Sequence, residues 1–181
     1  MVFEASDGQT KPTVAAVKTC DYLELENQEP VACVHADWSH RLLKRKKLEV
    51  GVLCEGTLLF DARNADGATP WTDAAKRIVV AMRGEEEFES MARRAEASGA
   101  AGLVIVDSED VFEDDFEMAS EDPNRPLSVP AVLAPKAYKD LLCGAKHARV
   151  VRRYHRTPSP ADARMLQFLR LRGVEVDLKM N

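Results

Sequence analysis

Uninterrupted apolar runs alternate with polar stretches along the chain, and two of these runs lie close together. Residues 78–82 read Ile-Val-Val-Ala-Met, and residues 103–106 read Leu-Val-Ile-Val. Runs of this length and composition are typical of strands that are buried on both faces of a sheet. If the two strands are parallel neighbours in one sheet, the connection between them should be right-handed.

The segment between these two runs, 85–98, has the periodicity of a helix. Four apolar residues recur at intervals of three and four and would share one face: Phe88, Met91, Ala92 and Ala95. The glutamates at 85–87 would fill the first turn, where negative charge suits the helix dipole. Gly99 fits the position just past the helix, because glycine readily adopts the left-handed conformation. The pattern over 78–106 therefore predicts strand, turn, helix, turn and strand.

Shorter apolar runs predict the other strands, at 13–17, 30–34, 130–133 and 149–154. Residues 48–54 and 57–60 are interpreted as a further strand pair. The intervening Glu55-Gly56 would be its hairpin turn, since glycine supplies a positive φ without a steric penalty.

Polar stretches and prolines predict the remaining helices and loops. The basic stretch 37–47 could hold a helical turn or two, and Pro135 could open a short helix that Gly144 stops. A C-terminal helix is predicted over 160–171. The segment 107–125 is long, acidic and poor in β-branched residues, which predicts a mobile loop.

The motifs that follow the predicted strand at 78–82 resemble those of the protease-associated (PA) domain family. That family's pattern is a strand, then R-G-x-C-x-F, a helix, and G-A before an apolar strand, with a later strand led by I-P or V-P. The matching residues here are Arg83, Gly84, Phe88, Ala95, Gly99, Ala100, 102–106 and 129–133. The resemblance covers about 48–154.

Two positions depart from the family's pattern. Glu86 stands where the family frequently has a cysteine, and Met91 stands where a lysine is often found. The first change removes a possible disulfide site. Neither change should break the fold, because Phe88 and the glycines would still set the local geometry.

The resemblance implies an α+β fold built around a small, partly open β-barrel with flanking helices. It also implies a division of the chain into three parts. Residues 1–47 would be an N-terminal extension that could contribute strands, 48–154 the PA-like domain, and 155–181 a C-terminal helix and tail. Family members usually lack catalytic residues and are attached to peptidases, sorting receptors or membrane ubiquitin ligases, where they bind protein segments or gate substrate access.

Composition limits the function classes. The chain has 181 residues, a net charge of −5 and 45% hydrophobic residues, which fits one globular domain and does not favour generic nucleic-acid binding. No apolar run has the length of a membrane span, and the first residues do not resemble a signal peptide. We therefore expect a cytoplasmic location if the chain is complete, and a lumenal or extracellular one if it is a fragment of a larger PA-containing protein.

The cysteines have no C-x-x-C spacing; they are Cys20, Cys33, Cys54 and Cys143. They could pair as disulfides in more than one way. The absence of a signal peptide favours reduced and mostly buried thiols.

Loops are the usual place for binding residues in a fold of this kind, and the candidates here are 61–73 and 107–125. The candidate partner-binding residues of the second loop are Asp107, Glu109, Asp110, Phe112, Asp115 and Phe116. The two phenylalanines could form a docking patch or could pack the loop onto the body of the domain.

Other candidate chemistry has less support. Cys33, His35 and His40 lack the spacing of a zinc site. An EF-hand counted from Asp110 would need glycine where Asp115 stands. The basic run Lys44-Arg45-Lys46-Lys47 could contact phosphates or act as a localisation signal, although a solvated surface is the simpler interpretation.

The leading hypothesis is a non-catalytic module that binds a protein or peptide, with no cofactor, no nucleic acid and no membrane insertion. The alternative is a structural or regulatory domain that joins a larger assembly through the helix at 160–171. A hydrolase is the third choice, because the sequence has no G-x-S-x-G or H-E-x-x-H motif.

Overall fold

A computed structural model of the chain describes residues 17–45, 47–64, 70–109, 118–119, 122 and 125–156. One compact unit, Thr19–Arg153, contains most of them. A second unit, Met1–Lys18 with Tyr154–Asn181, is described only at 17–18 and 154–156. The predicted elements at 13–16 and 160–171 therefore lie outside the described residues.

The described residues form seven strands, which close into a barrel in the order β1-β2-β6-β5-β4-β3-β7. The strands are β1 Val17–Leu25, β2 Val31–His35, β3 Gly51–Asn64, β4 Ile78–Met82, β5 Gly102–Val106, β6 Ala131–Ala134 and β7 His147–Arg156. The helices are α1 Asp37–Arg45, α2 Phe88–Ala97 and α3 Lys139–Gly144. The expected α+β barrel with flanking helices is confirmed, and the barrel is closed rather than partly open.

The predicted unit over 78–106 is confirmed as β4, α2 and β5, and the two strands are parallel, with Ile78 opposite Gly102 and Met82 opposite Val106. Alternate residues of these strands enter two separate cores. Val79 and Leu103 pack with α2, whereas Val80 belongs to the cluster that includes β1 and β7 residues. Because both faces are covered, neither strand carries polar alternation.

The predicted hairpin at Glu55-Gly56 is wrong, because β3 is one continuous strand. Its first half pairs antiparallel with β7, where Gly56 lies opposite Ala148, and its second half pairs parallel with β4 from Leu58 onward. Glycine is needed at position 56 because the backbone of Lys76 approaches it closely, and not because the chain turns there. A Cβ atom there would lie 3.0 Å from the carbonyl oxygen of Lys76.

Helix α2 also begins later than predicted. Glu87 is its N-cap, in an extended conformation, and among the acids only Glu89 lies in the first turn. The end is as expected: Gly99 has φ 71°, and the Ala100 amide donates to the Ala95 carbonyl at 3.0 Å. A glycine at this position avoids the penalty of a left-handed side-chain-bearing residue.

The short helix expected after Pro135 is divided in two. Pro135 is the N-cap of a 3₁₀ turn, Lys136–Tyr138, and α3 follows it directly. Gly144 is the last residue of α3 rather than a residue beyond it. Among the residues the structure describes, no helix is both long and apolar enough to cross a membrane.

Gly102 leaves no room for a side chain, because an added Cβ would overlap Cys54 Sγ. We expect Gly102→Ala to lower the free energy of unfolding by about 1–3 kcal/mol through overpacking. Chemical denaturation measures the effect. Combining it with Cys54→Ala removes the overlapping sulfur, so the double variant should lose less than the sum of the two single losses.

The matched control is Gly144→Ala, because a Cβ at Gly144 meets nothing within 4 Å. Inside α3 this change should be neutral or stabilising by up to about 1 kcal/mol. Equal losses for the two glycine variants would contradict the overpacking explanation.

Candidate functional site

Strands β3, β4, β5 and β6 run parallel, so their carboxyl ends meet at one edge of the sheet. We call this the carboxyl edge. The strands end there at Asn64, Met82, Val106 and Ala134. The ladder continues past the strand ends, since the Arg83 amide donates to Val106 O at 2.8 Å and the Asp107 amide to Ala134 O at 2.9 Å. The segments leaving this edge therefore start from fixed backbone positions.

An ion pair joins the ends of β4 and β5 at the carboxyl edge. Arg83 Nη1 donates to Asp107 Oδ1 at 2.8 Å. The Asp107 side chain is 4% exposed, whereas that of Arg83 is 34% exposed. The same carboxylate oxygen accepts the Ser108 amide at 2.7 Å, and the Arg83 guanidinium lies 5.2 Å from the centroid of the Phe88 ring. The arginine of the R-G motif thus neutralises a buried carboxylate and contacts the start of α2.

The acidic loop predicted at 107–125 is anchored where it is described. The Lys136 amide donates to the carbonyl of Glu109 at 3.0 Å, next to the carboxyl edge. At the other end, Met118 is fully buried and forms an isolated bridge with Ala36, and its carbonyl accepts the Asp37 amide at 3.1 Å. Both ends of 109–118 are therefore held by the body of the domain.

The six candidate loop residues divide accordingly. The structure places Asp107 and Glu109 at the carboxyl edge, with Asp107 buried and Glu109 exposed. Asp110, Phe112, Asp115 and Phe116 lie outside the described residues. The binding role of all six stays a prediction, as does the choice between docking and packing for the two phenylalanines.

A second group of interacting side chains links the C-terminal part of β3 to α2. The sequence analysis did not predict it. Trp71 Nε1 donates to Asp61 Oδ2 at 2.7 Å, and the Arg94 guanidinium lies 3.7 Å from the Trp71 ring centroid. Arg94 Nη2 also pairs with Glu86 Oε2 at 2.5 Å. The available signal was a tryptophan in a polar stretch, since such a ring is usually buried against a partner.

The four cysteines are thiols rather than disulfides, and Cys143 is exposed. Burial raises the pKa of Cys33 to about 12, and the charge of Asp21 adds to the shift. Burial likewise raises the pKa of Cys54 to about 12. Both thiols are neutral near pH 7, and a neutral thiol is a poor nucleophile and metal ligand.

The zinc alternative involves β2 and α1. Cys33 and His35 lie in β2, and His40 lies in α1, where the structure describes its backbone only. Within the described part of the chain, no three His, Cys, Asp or Glu side chains group in a way that could hold a metal ion.

Comparison with protein families gives a match to the PA domain over residues 50–141, just over half of the 181-residue chain. The chain belongs to the PA domain family. The match includes β3 to β6 and the first residues of α3, and therefore the carboxyl edge. In this PA domain the frequent motif cysteine is replaced by Glu86, whose side chain pairs with Arg94.

Solved structures show the same fold. A zinc aminopeptidase from Bacillus subtilis superposes with a TM-score of 0.52 and 16% identity, covering 77% of this chain and 34% of that one. A psychrophilic subtilisin-like protease, Apa1, from the Antarctic psychrotroph Pseudoalteromonas sp. AS-11 gives a TM-score of 0.52 and 13% identity, covering 80% of this chain and 38% of that one. This chain spans little more than a third of either structure. The comparison with curated proteins gave no match.

The ion pair at the carboxyl edge can be tested by removing its cation. We expect Arg83→Met to lower the free energy of unfolding by about 1–3 kcal/mol, because Asp107 stays buried without its charged partner. Urea denaturation measures the change. Arg149→Met is the matched control, since Arg149 is 46% exposed and pairs with Glu55, which is 62% exposed, and with the half-buried Glu24. The control should cost no more than about 1 kcal/mol. A loss at Arg83 no larger than the loss at Arg149 would contradict the role assigned to Asp107.

The raised thiol pKa values predict a stability loss at alkaline pH. The folded state holds the Cys33 and Cys54 protons more tightly than the unfolded chain, whose thiols have an ordinary pKa of 9.0. Their contribution is therefore complete below pH 9 and falls by up to about 1.4 kcal/mol per pH unit per thiol as the pH rises towards 12. Unfolding curves between these limits, compared with those of Cys33→Ala, Cys54→Ala and the double variant, measure it. An equally steep loss in the double variant would refute the assignment.

Proposed function

We propose that this PA domain is a non-catalytic module that binds a protein or peptide segment at its carboxyl edge. The observation that supports this most is the anchoring of 109–118 at both ends, by Lys136 beside the edge and by Asp37 with the buried Met118. A loop with fixed ends loses less conformational freedom on binding than a loop with free ends. Binding residues on loops supported by a rigid scaffold are a common arrangement.

The charge of the anchored loop indicates the chemistry of the partner. Five acidic residues occur within 110–117, and the Glu109 side chain that precedes them is exposed. Charge complementarity favours a partner segment rich in lysine and arginine. Such binding should weaken with salt, because interactions between exposed charges are screened.

The non-catalytic part of the proposal draws support from the chemistry of the barrel thiols. A cysteine nucleophile needs a lowered thiol pKa, whereas the pKa of both Cys33 and Cys54 is raised to about 12. Arg83 and Asp107 neutralise one another at 2.8 Å, so the carboxylate already has its partner. The carboxyl edge can therefore position a bound segment and attract it by charge, neither of which needs a reactive group.

Replacing 110–117 by a Gly/Ser linker of equal length tests the proposal, because the anchors at Glu109 and Met118 remain. The probe is a library of fluorescent peptides rich in lysine and arginine, measured by fluorescence anisotropy. The parent should select peptides whose binding weakens with salt, and the linker variant should bind those peptides at least about tenfold less tightly, as expected when several charged contacts are lost.

The control keeps the loop and removes the same number of charges elsewhere. It converts five exposed acids to their amides: Glu26, Glu29, Glu55, Asp73 and Asp140. This variant should bind like the parent. Unchanged binding by the linker variant, or an equal loss in the control, would refute a binding role for the loop.

A further inference from the structure

The outward face of α1 carries a group of cations that the fold itself does not use. Trp38 and Leu43 bury the opposite face of this helix, with 1% and 2% exposure. Arg41 and Lys44 are three residues apart and exposed, and Lys47 follows the helix and is exposed too. None of these three cations forms an ion pair with another described residue.

Two exposed aliphatic side chains follow these cations along the chain. Leu48 is 48% exposed and Val52 is 37% exposed, and they are the exposed large apolar side chains among the described residues of Thr19–Arg153. A Cβ built on Gly51 would lie 3.9 Å from methyl carbons of both Leu43 and Leu48. Leu48 therefore covers the junction between the end of α1 and the start of β3. We call Arg41, Lys44, Lys47, Leu48 and Val52 the α1 basic surface.

The backbone at Lys47 ends α1 in a left-handed conformation. The Leu48 amide donates to Leu43 O at 3.0 Å and the Lys47 amide to Lys44 O at 2.9 Å, which places Lys47 just past the helix with φ 57°. Glycine is the favoured residue in this left-handed position, and any side chain there is strained. The chain keeps a lysine, whose charge suits the helix C-terminus. The two backbone hydrogen bonds fix the position of the Lys47 backbone, directly before the exposed Leu48 in the chain.

The shape of the α1 basic surface argues against acidic peptides and single-stranded nucleic acids as its partners. Peptides are bound in grooves or at sheet edges, but this surface is the outer side of a helix. A cavity of about 510 Å³ is lined by residues such as Leu25, Asp140 and His147, and none of its lining residues belongs to α1. Single-stranded nucleic acids stack on exposed aromatic side chains, and this surface has none.

We infer that the α1 basic surface docks the domain on membranes that contain anionic phospholipids. Cations attract such a headgroup layer while neighbouring aliphatic side chains enter its outer part, which is how basic amphipathic segments lie on a bilayer. Arg41, Lys44 and Lys47 supply the charge, and Leu48 and Val52 supply the apolar contact. This is contact with headgroups, and nothing in it requires a segment to cross the bilayer.

Co-sedimentation of the full chain with vesicles tests the inference. One set is phosphatidylcholine alone, and the other contains about a third phosphatidylserine. At an ionic strength of about 0.1 M, where exposed charges still interact, the chain should sediment with the second set and not the first. The triple change Arg41→Gln, Lys44→Gln and Lys47→Gln should lower the partition constant about a hundredfold, since each basic residue contributes about fivefold. The double change Leu48→Ser and Val52→Ser should also lower it.

The matched control is a triple change of exposed cations elsewhere, Arg77→Gln, Lys139→Gln and Lys146→Gln, which alters the net charge equally. It should keep parental binding. Circular dichroism and the unfolding midpoint confirm that each variant is folded. No preference for phosphatidylserine, an equal loss in the control, or unchanged binding after the Leu48 and Val52 changes would overturn the inference. Binding of poly-glutamate as tight as that of the vesicles would assign the surface to an acidic protein instead.

Discussion

A buried ion pair closes the barrel on which every other feature depends. Arg152 of β7 donates through Nε to Asp21 Oδ1 at 2.6 Å and through Nη2 to Oδ2 at 2.9 Å, and both side chains are at most 1% exposed. A bidentate pair of this kind fixes the angle between two strands as well as their distance. Burying one of the two charges alone would be strongly unfavourable. The first and last strands of the barrel are therefore held together by a contact that tolerates little rearrangement.

Closure of the barrel decides where function can reside. The interior is filled by alternate residues of the strands, and the outer face of β4 and β5 is covered by α2. The buried Cys54 belongs to the cluster that fills the interior and the partly buried Cys33 packs against that cluster, and the pKa of both thiols is raised. Among the described residues, the exposed ones include Glu109 at the carboxyl edge and Arg41 and Lys44 on the outer side of α1. The segment 107–117 that leaves the carboxyl edge is rich in acids and α1 is rich in cations, so we propose partners of opposite charge for the two.

The sequence predicts best where a residue's environment follows from its neighbours along the chain. The unit β4, α2 and β5 was predictable, because strands covered on both faces lack polar alternation and Gly99 marks a left-handed helix end. Gly56 shows the limit of such reasoning. A glycine between two apolar runs indicates a hairpin locally, but the actual cause is the approach of Lys76, which lies twenty residues away. Of the candidate site, only the Arg83 motif and the start of the acidic loop could be located in this way.

By itself, the sequence determined the family, the class of fold, most of the strands and the segments that leave the carboxyl edge. Only the tertiary structure decided that Arg152 meets Asp21, that Arg83 neutralises Asp107, and that Trp71, Arg94 and Glu86 form one cluster at the position of the missing cysteine. The physical reason is separation along the chain. Asp21 and Arg152 are 131 positions apart, and no local pattern of apolar and polar residues encodes which distant charges a closing barrel brings together.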